Sequence, residues 1–186
     1  FAFANKQLIT HFVRENMKNY FPNFKAEVVY DICHNIAKFE KHFIDGNEKD
    51  LLVIRKGATR SFGPGRKEIP EDYRKVGQPI FIPGSMGTSS YVLCGTKKAE
   101  ELSFGSTAHG SGRIKSRSQA KKDITFEEAK KEMEKRGVFV ESGSKRGLVE
   151  EFPLSYKNVD EVVRVSHKTG IGCKVARMNP FMVVIG

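Results

Sequence analysis

Two adjacent residues, Asp45 and Gly46, constrain this chain most, because Asp-Gly between alternating segments marks a tight hairpin turn whose central residues take positive φ. The stretch IAKFEKHFIDGNEKDLLVIRKGATR therefore reads as two antiparallel strands joined at that turn. Upstream, AEVVYDICHN alternates and is rich in β-branched residues, which predicts a buried strand ending on His34 and Asn35. Before it, FAFANKQLITHFVREN predicts a helix with Phe1, Ala4, Leu8, Phe12 and Val13 on one face. With no Met ahead of Phe1, the chain is expected to begin in mid-domain.

Downstream, the glycines and prolines of SFGPGRKEIPEDYRKVGQP predict a loop, and PIFIPGSMGTSSYVLCG predicts two short strands around a loop of small residues. SFGSTAHGSGRIKSRSQA is expected to pass from a Gly- and Ser-rich turn into a helix carrying Arg113 and Arg117 at i,i+4 spacing. Thr125 followed by Glu128 in TFEEAKKEMEKR is a capping box, so a solvent-facing helix starts there. Another helix is expected from Asn158 as N-cap, through Glu161, to Gly170 as the stop. CKVARMNPFMVVIG predicts two strands about Pro180. There is no internal repeat or linker, so the expectation is one α+β unit of mixed sheets with flanking helices.

The 186 residues suffice for one sizeable core, and 32 Lys and Arg against 22 Asp and Glu leave a net charge of +10. Such an excess attracts polyanions in a salt-dependent way and makes nucleic acid the first partner to consider, although the same charges could merely solvate the surface. Cys33, Cys94 and Cys173 show no C-x-x-C pairing, so neither a disulfide framework nor a cysteine-only zinc site is suggested, and a reducing cytoplasm fits. No apolar run approaches a membrane span, and the N-terminus lacks the features of a signal peptide.

Three segments could carry chemistry. In GSTAHGSGR, His109 sits between small residues whose backbone N–H groups can converge on an anion, and an imidazole nitrogen can attack phosphorus. The bland reading is a loop histidine that hydrogen-bonds locally. Arg113 and Arg117 present planar forks suited to phosphate oxygens, or else a solvated helix face. In DICHNI, His34 offers an imidazole to a divalent metal and Asn35 an amide to phosphate or ribose, against a merely structural histidine. No second motif at ligand spacing accompanies His34, so any metal site must be completed from elsewhere. In PGSMGTSSY, Ser85 and Ser90 flank a turn tight enough to admit a ligand, and RKGATR supplies Arg55, Lys56 and Arg60 as a weak phosphate signal.

Five segments, YDICHNIAKFE, RKGATRSF, GQPIFIPGSMGTSSYVL, STAHGSGR and SYKNVDEVV, together resemble the RtcB-type RNA ligases in order and spacing across essentially the whole chain. That resemblance implies the C-terminal portion of a ligase that joins a 2′,3′-cyclic phosphate or 3′-phosphate RNA end to a 5′-hydroxyl end, using GTP and divalent manganese. His109 in the H-G-x-G-R motif would be the guanylylated nucleophile, with the backbone around Ser111 and Gly112 holding the ribose. Ser85, Ser90 and Tyr156 match positions lining the guanine pocket, Arg113 and Arg117 match arginines that bind RNA phosphates, and His34 matches a metal ligand.

The implied partners are RNA, tRNA halves among them, an N-terminal half of the ligase carrying the remaining Asp, Cys and His ligands, and the archease associated with this family. Alone, the chain is expected not to ligate. It departs from the family at Ile185, where a terminal Lys-Gly is usual, at Ile54, where a histidine precedes R-K-G, and at Ala108, where Cys is common. Two other classes compete with the ligase: a non-catalytic RNA-binding relative, and a different histidine-dependent phosphoryl-transfer enzyme whose site closes within this chain.

Overall fold

A computed structural model describes residues 1–185, and the chain divides into two compact units, Phe1–Asp31 and Ile32 onward, where the sequence predicts one. The first unit is helix α1 (Ala2–Tyr20) and the segment after it, which returns close enough for Arg14 Nε to donate to the Ala26 carbonyl at 2.8 Å. The helix forms where the periodicity places it, but it buries no residue, and Leu8, Phe12 and Val13 are all more than half exposed. The strand expected over AEVVYDICHN is absent: residues 26–34 lie outside every sheet, and Val28 and Val29 are exposed. Alternation supplies a side-chain pattern, but a strand exists only where a second one lies alongside to pair with it.

In the second unit, β1 (Asn35–Ile44) and β2 (Asn47–Lys56) form the predicted hairpin in continuous register from Asn35↔Lys56 to Ile44↔Asn47. Asp45 at φ 52° and Gly46 at φ 78° make its turn, as Asp-Gly requires. Then come β3 (Ala58–Arg60), the short helix α2 (Glu71–Arg74), β4 (Pro79–Ile82), β5 (Ser90–Cys94), α3 (Lys97–Ser103) and β6 (Ser106–Ala108). The remainder is α4 (Arg117–Asp123), α5 (Phe126–Lys135), β7 (Phe139–Ser142), α6 (Lys145–Glu150), α7 (Val159–Thr169), β8 (Cys173–Met178) and β9 (Met182–Ile185).

These strands make four small sheets, which bears out the mixed α+β class: β1–β2, β3–β6 and β4–β5–β8 are antiparallel, and β7–β9 is parallel. The two strands about Pro180 thus part company, β8 joining one sheet and β9 another. All three predicted caps are present, with the Asn158 side chain accepting from the Asp160 N–H at the start of α7. Thr125 and Glu128 satisfy each other's backbone at the start of α5, and Gly170, left-handed at φ 79°, ends α7.

Two apolar clusters hold this unit together. One packs Met86, Ala129, Met133, Val138, Val140, Leu148 and Phe152 between α5, α6 and the strand that follows α5. The other packs Ile80, Ile82, Tyr91 and Leu93 of the three-stranded sheet against Val159 and Val163 of α7, with Ala108 at its margin. Ala108 ends β6, so the residue after it, His109, emerges directly from the edge of this core.

Candidate active site

Strand pairing, not sequence proximity, assembles the site. β3 and β6 pair with Ala58 opposite Ala108, so Gly57, just ahead of one strand, lies beside His109, just beyond the other. A methyl group built on Gly57 would stand in ordinary contact, 3.7 Å from His109 Nε2, so it is the φ of +70° and not the imidazole that favours glycine there. The hairpin brings the third participant, because Asn35 pairs with Lys56 and its Oδ1 accepts from the Gly57 N–H at 3.4 Å. His34 therefore reaches His109, and the two rings stack with centroids 4.9 Å apart and planes 16° from parallel. His34 stands just ahead of a strand rather than at the end of one.

His109 is partly buried and His34 exposed. Burial first, and then the neighbouring His34, hold the His109 imidazole below the usual histidine value of 6.5. At neutral pH His109 is thus uncharged, with a ring-nitrogen lone pair available to an electrophile.

The segment after His109 turns away along the β4–β5 loop. The Ser111 N–H donates to the Pro83 carbonyl at 3.0 Å, which ties the histidine loop to the turn bearing Ser85 and Ser90. There the Ser90 hydroxyl accepts from the Gly84 N–H at 3.3 Å, and the Ser85 and Thr88 hydroxyls lie 3.0 Å apart. The Ser111 side chain is 4% exposed, and its hydroxyl has no partner among the described residues. An unpaired buried hydroxyl costs free energy unless something else satisfies it. Among the described side chains it is the one buried polar atom left without a partner, and it lies two residues past His109.

Gly112, at φ +71°, accepts from the Lys157 N–H at 2.9 Å, and Arg113 forms an antiparallel bridge with Tyr156. Hence the helix expected through Arg113 and Arg117 does not exist as such: α4 begins only at Arg117, with the Ser116 hydroxyl accepting from the Gln119 N–H. A left-handed glycine and a serine that caps so well both delay the helix. The helix that follows thus starts eight residues past His109, and the Ser111 N–H of the expected anion nest is already engaged.

The two arginines nevertheless meet, through an acidic pair. Arg113 donates to the Lys115 and Glu150 carbonyls at 3.0 and 2.6 Å and to the Tyr156 hydroxyl at 2.9 Å, and its guanidinium lies 4.7 Å over the Tyr156 ring. Glu151 lies 3.4 Å from Arg113 and 3.3 Å from Arg117, and it accepts from the Tyr156 hydroxyl. Burial and then Glu151 push the Tyr156 phenol up. Arg113 is committed to this network, while Arg117 keeps an exposed side chain.

RKGATR does not behave as a phosphate site. Arg55 is 2% exposed and grips Glu40 with both terminal nitrogens at 2.7 and 2.8 Å, while its Nε donates to Ser106 Oγ at 2.9 Å and its Nη2 to the Phe104 carbonyl at 2.8 Å. His42 completes this buried group, 3.2 Å from Glu40. Arg60 donates to Gln78 Oε1 at 2.9 Å. Sequence reasoning missed Glu40 and His42, although their shared face of an alternating strand was a signal available to it. The Arg55 group ties the hairpin that carries His34 to β6, which carries His109.

Of the residues singled out from the sequence, the structure stacks His34 on His109, ties the Ser111 backbone to Pro83 at the start of the turn bearing Ser85 and Ser90, and joins Arg113, Tyr156 and Arg117 through Glu151. The family model described as "tRNA-splicing ligase RtcB" matches residues 1–186. The chain belongs to the tRNA-splicing ligase RtcB family. It is 52% identical over 190 residues to the tRNA-splicing ligase RtcB of Nanoarchaeum equitans, covering 100% of this chain and 40% of that protein. The RtcB of Archaeoglobus fulgidus is 50% identical over 190 residues, covering 100% and 39%, and that of Pyrococcus furiosus is 49% identical over 191 residues, covering 100% and 20%. The chain therefore spans well under half the length of these RtcB relatives.

Of the positions where the resemblance leads us to expect departures from the family, Ile54 is 72% exposed on the outer face of the hairpin, and Ala108 packs at the core margin. The Ile185 side chain and Gly186 lie outside what the structure describes.

Proposed function

We propose that this chain provides the nucleotide-accepting histidine of an RNA ligase that joins a 2′,3′-cyclic phosphate or 3′-phosphate end to a 5′-hydroxyl end, with His109 as the acceptor. The observation that carries this reading is the partly buried His109 imidazole, held neutral and stacked on His34 at 4.9 Å, on a loop whose buried Ser111 hydroxyl lacks a partner. When bound, GTP would supply the guanylyl group and manganese the positive charge that polarises it. With GTP bound, a ring nitrogen of His109 would be the acceptor of the guanylyl group, pyrophosphate would be the leaving group, and neutrality would spare the imidazole a proton loss first. Stacking on His34 limits the swing of the ring, which favours in-line approach. The ribose would lie along the backbone of Ser111 and Gly112, although the Ser111 N–H is engaged with Pro83, and the base would lie toward the Ser85 and Ser90 hydroxyls.

The residues present do not by themselves fit manganese. Among the described residues no group of three or more His, Cys, Asp or Glu could hold a metal, and manganese prefers an oxygen-rich shell that paired imidazoles do not offer. His34 is at most one donor, and the others belong to residues beyond this chain. RNA is the substrate class that the net charge of +10 favours, with Arg117 an exposed cation on the segment that follows His109.

The test is incubation with radiolabelled GTP and manganese, with and without a homologous N-terminal half, followed by denaturing electrophoresis. Label should appear only with the added half and vanish in His109→Ala. Because burial and the neighbouring His34 hold the His109 imidazole below the usual 6.5, the labelling rate should fall off at a lower pH than an ordinary histidine would set. Absence of label under every condition, with salt-sensitive RNA binding retained, would instead indicate an RNA-binding relative of the ligases.

A further inference from the structure

Two cysteines that no sequence motif joins face each other across a strand pair. Cys94, the last residue of β5, lies opposite Cys173, the first residue of β8, in the antiparallel register. Directly opposed residues in such a ladder have Cα atoms about 4.5–5.5 Å apart, inside the range that a disulfide spans. Both thiols are free, Cys94 half-buried and Cys173 exposed. The third cysteine, Cys33, lies ahead of β1, with its Sγ donating to the Asn35 carbonyl at 3.6 Å.

We propose that Cys94 and Cys173 form a dithiol site for low-molecular-weight disulfides such as glutathione disulfide, closing reversibly to a cross-strand disulfide that staples β8 to the sheet. Exposure decides the order of events. Burial, and then the nearness of Cys173, push the Cys94 thiol up, and Cys173 is the exposed thiol that an incoming disulfide reaches first. It attacks one sulfur of glutathione disulfide, the glutathione S–S bond breaks, and one glutathione thiolate leaves. Cys94, giving up its proton, then attacks the Cys173 sulfur and expels the second glutathione. Two protein thiols are oxidised to one disulfide, and one glutathione disulfide is reduced to two glutathione thiols.

The staple acts on an edge strand. β8 pairs only with β5 in its sheet, and each of its six residues is exposed. Its far end, Met178, pairs with Ser90, the first residue of β5, so a link at the Cys94 end anchors the strand beside the β4–β5 turn. Closing so long a loop in the unfolded chain should raise the unfolding temperature by several degrees.

The site is tested with the folded 186-residue chain, oxidised in graded glutathione buffers, quenched by alkylation and mapped by mass spectrometry. The expected product is a peptide linking Cys94 to Cys173 that reverts with dithiothreitol, with Cys33 still alkylated and hydrogen exchange across β8 slowed. Cys33→Ser should form the same link, and Cys173→Ser should lose both the link and the thermal shift. Separate glutathione adducts on Cys94 and Cys173, persistent alkylation of both, or pairing of either with Cys33 would overturn the proposal. None of these readouts depends on GTP or RNA, so the outcome is independent of the ligase reading.

Discussion

The hairpin β1–β2 and the sheet β4–β5–β8 are both antiparallel and both alternate, yet they are built inside out with respect to each other. In the three-stranded sheet, the apolar Ile80, Ile82, Tyr91 and Leu93 point inward and pack on α7. In the hairpin, the inward residues are Glu40, His42 and Arg55, each at most 4% exposed, whereas Phe39, Phe43, Leu52 and Ile54 face outward at 52–81% exposure. The sheet is held by removal of apolar area from water, and the hairpin by a charged group whose hydrogen bonds must all be met. Burial pushes the Glu40 carboxyl up, but the Arg55 hydrogen bonds and charge, helped by His42, outweigh it and hold the group below 4.5. The two construction principles respond differently to mutation and to pH.

The largest effect is expected at Arg55. Arg55→Met leaves Glu40 buried without its partner and should cost about 3–5 kcal/mol in urea unfolding. Adding Glu40→Leu should recover only part of this, because the Phe104 carbonyl still lacks its donor. Full recovery would show that the hairpin is held like the sheet after all. Leu93→Ala, in the apolar sheet, should cost about 2–5 kcal/mol, and its cost should not depend on pH between 3 and 7.

The pH dependence separates the regions further. Glu40 has a folded value below its ordinary 4.5, so it contributes stability above that value, and this contribution fades as pH falls through the folded value. Acid titration of the unfolding free energy should show that loss in the parent and in Leu93→Ala, and a smaller one in Arg55→Met. The smallest effect belongs to the outer face of the hairpin, where Phe39→Thr should shift stability by no more than about 0.5 kcal/mol. A loss several times larger would mean that the exposed aromatic face is covered in solution.

Much of the local structure was legible in advance. The turn at Asp45-Gly46, the capping box at Thr125 and the stop at Gly170 were read correctly because each depends on neighbours within four residues. The short elements were not. β3 and β6 have three residues each, too few to show a period, and their pairing brings Gly57 to His109. Helices α3 and α6 and strand β7 escaped for the same reason of length, whereas the strand foreseen over AEVVYDICHN had the pattern but lies outside every sheet. The candidate residues themselves were nameable from family motifs, but their commitments were not. Arg113 is spent on Glu150, Glu151 and Tyr156, and Arg55 on Glu40.

By itself, the sequence determined the family, the α+β class, the turns and caps, and a histidine between small residues as the place to look for chemistry. These follow from backbone preferences and motif order, which are local and additive along the chain. Only the tertiary structure decided which face of the hairpin is buried, that His34 stacks on His109, that the Ser111 hydroxyl is left without a partner, and that Cys94 meets Cys173. Each of these depends on groups far apart in sequence meeting at short range. Alternation and composition carry no information about which partner arrives.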